Sequence, residues 1–199
     1  SLCLGALAAT PAAAAPVDDI TDGLVHRFPL DETSGTVLTN VGSAGAAAHG
    51  TIVNPDRVAL TGNGVRFNPD EYAYSLEGGY AQLPNDLTAG MTNLTIDYDI
   101  WIDPANVGDH QIWSLGNKAA SCDEATGSGG SLFASNTQRF RVAAGNVNVQ
   151  QNRVRLQEGV WKHVTYTQAP NVNGTSWTGT LYIDGVQHAQ ATNITVPPS

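Results

Sequence analysis

The chain has 199 residues, of which 41% are hydrophobic and only 14% charged, with 21 glycines. That is enough chain for one domain with a real core, and the glycine-rich, charge-poor balance suits many short strands joined by turns. A net charge of −9 and a pI near 4.7 repel a phosphate backbone, so nucleic acid is excluded as a partner while neutral and cationic partners stay open; the acidity also serves solubility.

Residues 1–16 read SLCLGALAATPAAAAP, an apolar run that passes into small residues. This is the pattern of a secretory signal peptide, and the A-x-A rule places cleavage after Ala14. The expectation is a signal-peptide remnant over 1–14, a linker over 15–23 and a secreted, extracellular domain. The apolar run is shorter than the roughly 20 residues a bilayer span takes, and no other stretch is long enough, so no membrane span is predicted. Cys3 lies in the leader, which leaves Cys122 as a lone thiol or an intermolecular partner.

The strand signals begin at 24–30 (LVHRFPL), where Pro29 marks an edge or an end. Residues 31–35 form a turn, and 36–48 are small and flexible. Short strands are predicted over 50–53, 58–60, 65–67 and 80–84, with an acidic, aromatic insert over 68–79. Residues 87–91 make a turn or a single helical turn. The clearest strand is 94–103 (LTIDYDIWID), with Leu94, Ile96, Tyr98, Ile100 and Ile102 on one face and Thr95, Asp97, Asp99, Trp101 and Asp103 on the other. A central strand over 111–116 is apolar on both faces, and a polar loop over 117–130 holds Cys122. The meander continues over 131–134, 139–143, 147–151 and 153–156. In the last third, Trp161, His163, Thr165 and Thr167 alternate with Lys162, Val164 and Tyr166. Thr180, Tyr182 and Asp184 alternate with Leu181 and Ile183. A polar loop over 171–179 joins the two runs, and Asp184-Gly185 makes a tight turn. No segment has a helical period, and there is no internal repeat or second domain.

The pair Trp161-Lys162-His163-Val164 and Leu181-Tyr182-Ile183-Asp184-Gly185-Val186, in this order and spacing, resembles the laminin-G-like, concanavalin-A-like jelly-roll family. The stretch 28–35 (FPLDETSG) is similar to the opening of its bacterial members. The resemblance implies an all-β, antiparallel two-sheet sandwich of jelly-roll type over 24–199, with the pair as its central hairpin. In that family further strands follow, so the chain is expected to be truncated at its C-terminus. Bacterial members with this opening are often joined to glycoside hydrolases. The function implied is a secreted, non-catalytic carbohydrate-recognition or accessory domain, with polysaccharide as partner and an attached catalytic domain beyond Ser199. Where the family often carries Asp-x-Ser-Gly after the opening, this chain has Asn40-Val41-Gly42-Ser43, one carboxylate fewer for a cation.

Two rival readings stay open, a glucanase-type glycoside hydrolase and a structural or protein-adhesion module. Asp97 and Asp99 share a strand face, and retaining hydrolysis wants two carboxyls about 5 Å apart with one kept protonated. Alternate strand residues lie about 6.5–7 Å apart. The glucanases of the superfamily use Glu at both positions, so no catalytic residue is assigned here. As a binding surface, Asp99 and Trp101 offer a carboxylate for hydroxyls and a ring for the C–H face of a sugar. His163, Thr165 and Tyr182 extend that face if their strands are neighbours. Trp113 and Trp161 read as core residues because their strands are apolar around them, while Tyr80 and Trp177, near loops, are the alternative exposed platform. The histidines show no metal-ligand spacing. Calcium stays open as a cofactor through Asp31 and Glu32 or Asp123 and Glu124, although it wants roughly six to eight oxygens and no D-x-D-x-D loop is present.

Overall fold

The computed structural model describes residues 24–67, 78–105, 110–116, 132–136, 140–145, 147–150 and 154–198. The expected signal segment and linker, most of the acidic insert, and the loop holding Cys122, Asp123 and Glu124 lie outside the described residues. The strands are β1 (Val37–Leu38), β2 (Gly50–Val53), β3 (Val58–Leu60), β4 (Val65–Phe67), β5 (Tyr80–Gln82), β6 (Leu94–Trp101), β7 (His110–Leu115), β8 (Leu132–Asn136), β9 (Phe140–Ala144), β10 (Val147–Gln150), β11 (Trp161–Pro170), β12 (Trp177–Ile183) and β13 (Val186–Ile194). Every pairing is antiparallel.

A front sheet runs β13-β12-β11-β6 and a back sheet β10-β9-β8-β7. Their facing sides share one core. Val164, Tyr166, Leu181 and Ile194 come from the front, and Leu132, Ala134, Phe140, Val142 and Val149 from the back. This is the predicted two-sheet sandwich. Smaller sheets, β1-β2-β5 and β3-β4, are built from the first part of the chain. Period-two alternation explains the front sheet directly. On β6, Leu94 is buried and Ile96, Tyr98 and Ile100 pack against the core, while Thr95, Asp97, Asp99 and Trp101 are exposed.

Two polar side chains at the centre of the core are paired, as burial demands. Tyr166, fully buried, donates its hydroxyl to Gln168 Oε1 at 2.8 Å, and Gln168 Nε2 donates to the Val196 carbonyl at 2.7 Å. Burial pushes the Tyr166 hydroxyl well above its ordinary pKa. The Tyr166 ring needs room on the neighbouring strand, and Gly179 supplies it. A Cβ there would lie 2.6 Å from the Tyr166 hydroxyl and 2.7 Å from Ile194 Cδ1.

The structure corrects several expectations. Residues 24–30 are not a strand, although they are tied down, since their carbonyls accept Val41 N (at Arg27), Ser43 N (at Leu24) and Ala44 N (at Val25). Nor is 36–48 loose, for it contains β1 and a 3-10 helix, Gly45–Ala48, around Asn40, which is 4% exposed. Asn40 Oδ1 accepts from the Arg27 and Gly42 backbones at 2.7 and 3.1 Å, and its Nδ2 donates to the Gly45 carbonyl at 3.1 Å. Asn40 is therefore a structural hub. Residues 154–156 form no strand, yet Leu156 is buried and its N–H donates to Asn136 Oδ1 at 2.8 Å. The polar loop between β11 and β12 ends before Trp177 rather than at Gly179. β13, to which no strand was assigned, adds an outer strand through the two-residue turn Asp184-Gly185, both at positive φ (52° and 76°) as a tight hairpin requires.

Gly179→Ala should overpack the Tyr166 contact and cost about 1–3 kcal/mol. Each kcal/mol corresponds to a fall in Tm of roughly 2–4 °C for a chain of this size. Thermal melts followed by circular dichroism check this, and an unchanged Tm would show that the ring has slack the geometry does not suggest.

Candidate functional site

Among the described residues, the outward side of the front sheet brings together a group of chemically capable side chains. Pairing between β6 and β11 sets Trp161 opposite Trp101, His163 opposite Asp99, Thr165 opposite Asp97 and Thr167 opposite Thr95. Directly opposed residues on one face have Cβ atoms about 5 Å apart. Two tryptophans therefore sit side by side at one end of the sheet, 39% (Trp101) and 63% (Trp161) exposed. A polar cluster lies immediately behind them.

His163 is the centre of that cluster. Its Nδ1 is 2.9 Å from Asp99 Oδ1 and its Nε2 is 3.1 Å from Asp97 Oδ1. Thr165 Oγ1 also donates to Asp97 Oδ1. An imidazole with a carboxylate at each nitrogen is best satisfied as the doubly protonated cation. The hydrogen bond to Asp99 is the main cause that raises the His163 pKa above the ordinary histidine value, opposed by slight burial and helped by the charge of Asp97. Asp184, at the β12–β13 turn, anchors the same residue from the other side. Its Oδ1 accepts the His163 backbone N–H at 3.1 Å, its own N–H donates to the His163 carbonyl at 2.8 Å, and its Oδ2 takes Lys162 Nζ at 2.6 Å. The Lys162 bond holds the Asp184 carboxyl below its ordinary range.

Of the residues singled out in the sequence, Asp99, Trp101 and His163 come together on this face. Tyr182 is half-buried on β12, opposite Thr165, and extends the face by one strand. The other two lie elsewhere. Trp177 packs against the core with its Nε1 donating to the Thr92 carbonyl at 3.2 Å, so it is no exposed platform. Tyr80 is exposed but belongs to β5 in a different sheet. Trp113 packs against the core as expected, its ring 6.4 Å from that of Tyr166. Trp161 overturns the core assignment. It starts β11 on the same parity as His163, and that parity, rather than the apolar company of the strand, was the signal to follow. Asp184 and Lys162 were not foreseen, because the contact depends on a turn folding back across the strand.

Among the described residues no group of three or more His, Cys, Asp or Glu side chains is arranged to hold a metal ion. At the Asp31 and Glu32 loop, Glu32 Oε1 accepts the Thr39 N–H at 2.6 Å. Burial opposes ionisation of Glu32, but its hydrogen bonds, led by that from the Thr39 backbone, outweigh it and lower its pKa. A hollow of about 210 Å³ lined by Thr33, Gly35, Ile52 and Leu60 shares no residue with the front-sheet face. No helix among the described residues is long and apolar enough to cross a membrane.

A laminin-G-type family model, described as the concanavalin A-like lectin/glucanases superfamily, matches residues 76–199. The matched span holds β5 to β13 and thus both sheets of the sandwich; the FPLDETSG stretch lies outside it. No curated protein and no solved structure matches the chain.

The His163 cluster makes stability depend on pH with a defined sign. Because its folded pKa is raised, the contribution is complete below the unfolded value of about 6.5 and is lost as pH rises through the folded value. An NMR titration of the His163 ring protons should give a midpoint above that of an ordinary histidine, and Asp99→Asn should move it down. A midpoint at or below the ordinary value would mean the two carboxylates do not hold the ring.

Proposed function

Since the chain belongs to the concanavalin A-like lectin/glucanase superfamily, we propose that it is a non-catalytic carbohydrate-recognition domain whose platform is the outward face of β6 and β11. The observation that carries this reading is the exposed pair Trp101 and Trp161. Rings of this size normally bury most of their surface, and two adjacent exposed ones form the kind of patch that marks an interaction site. A sheet face is flat, which suits an extended polymer laid across it. Pyranose rings present C–H faces to the indoles, and their hydroxyls reach Asp99, Asp97 and His163 as acceptors and donors.

Hydrolysis fits the same face poorly. A glycosidase needs one carboxyl kept protonated by apolar surroundings. The Asp97 and Asp99 side chains are 53% and 69% exposed, and both are engaged with His163. The alanine-rich opening of the chain supports export, and thereby an encounter with extracellular polysaccharide.

Calorimetry against a panel of soluble neutral polysaccharides tests the proposal, together with an assay of reducing-end release. Trp161→Ala and Trp101→Ala should each weaken binding roughly tenfold, equivalent to about 1.4 kcal/mol, with no release of reducing ends. Turnover abolished by Asp99→Asn would instead establish a hydrolase. Absence of binding across the panel would point to a structural or protein-adhesion module.

A further inference from the structure

The charges around the tryptophan pair narrow the class of glycan. Resting on the platform reading, we infer that the face selects polysaccharides that carry protonated amines, such as glucosamine polymers, over acetylated, neutral or uronate-bearing ones. On this face the two carboxylates of Asp97 and Asp99 meet one basic group, His163, while Lys162, on the opposite parity of β11, pairs with Asp184. The cluster keeps one net negative charge with His163 protonated and two with it neutral. Arg66, on β4, and Asp103, just past β6, pair with each other at 2.9 Å and do not change that balance.

Asp99 is the residue positioned to use the charge. It spends Oδ1 on His163, and its side chain stays 69% exposed. It lies two residues from Trp101 on the same strand face, about 6.5–7 Å along the strand. A sugar ring stacked at Trp101 thus places its substituents within reach of a carboxylate. An ammonium there gains a charge-assisted hydrogen bond and the attraction of the negative indole faces. A carboxylate or sulfate at the same point meets like charge from the cluster and from a chain of net charge −9. An acetamido group in place of the ammonium loses the ionic part of the interaction while keeping the ring.

The test compares oligomers of glucosamine, N-acetylglucosamine and galacturonic acid by calorimetry on the full chain at mildly acidic pH, where the amine is charged. The glucosamine oligomer should bind about tenfold more tightly than its acetylated counterpart, the size of one exposed cation–π or charge-assisted contact, and the uronate should not bind. Asp99→Asn should collapse that ratio, high salt should reduce it, and Asp56→Asn, at an exposed carboxylate outside the cluster, should leave it unchanged. Trp161→Ala should weaken both glucosamine-type ligands. Equal affinity for the charged and acetylated oligomers, with both weakened in Trp161→Ala, would overturn the amine preference and leave the platform standing. Glucosamine binding left undiminished by Trp161→Ala and Trp101→Ala would overturn it too, as diffuse attraction to an acidic protein. Binding to none of the three, nor to neutral glucans, would remove the platform reading itself.

Discussion

The pairing register between β6 and β11 is the constraint on which the rest depends. It sets Val164 against Tyr98 and Tyr166 against Ile96 on the inner side, and Trp161 against Trp101 and His163 against Asp99 on the outer. A slip of one residue would move every side chain of β11 to the opposite face. Val164 and Tyr166, both at 0% exposure, would then face water and Trp161, His163 and Thr165 would enter the core. Burying a large apolar side chain is worth about 1.5–3 kcal/mol, so the slip would cost a large part of the stability of a typical domain. The core therefore fixes the outer face without any of the outer residues having to stabilise it. Asp184 adds a second anchor, because a turn residue bonded to both backbone groups of His163 holds the strand end where the imidazole sits.

Much of this was legible in the sequence where alternation was clean. The two faces of 94–103, the alternation in 161–167 and the Asp184-Gly185 turn all follow from period-two patterning and from the positive φ that a tight turn needs. Three features did not follow. Residues 24–30 alternate well enough to suggest a strand, yet their carbonyls are taken up by 41–44 in irregular backbone, organised by Asn40. A single buried amide satisfying three backbone groups leaves no periodic trace. β13 was hidden because its residues are mostly exposed and polar, so it lacks the hydrophobic alternation that would announce it. Trp161 was misplaced because composition outweighed parity. A strand that begins with a tryptophan looks like core until its partner across the sheet is known to be another exposed tryptophan.

The site itself was only half legible. Asp99, Trp101 and His163 could be put on one face given a guess that their strands were neighbours, and β6 and β11 are indeed paired. That His163 would lie between two carboxylates is a matter of register, which sequence patterning does not define. Its consequence is chemical. A pair of carboxylates on alternate residues invites comparison with a hydrolytic dyad, but here an imidazole is seated between them, close to an oxygen of each. The same arrangement keeps acceptor oxygens on an exposed surface beside two indoles, which is what the proposed recognition role draws on.

The most direct measurement is an NMR titration of the isotopically labelled chain with a soluble oligosaccharide that it binds. The indole N–H signals of Trp101 and Trp161 and the ring signals of His163 should shift together and saturate at one affinity. Signals from Phe133 and Arg141, on the outward side of the back sheet, should stay in place. Shifts confined to Phe133 and Arg141, with both indoles silent, would contradict the assignment of the front sheet as the platform.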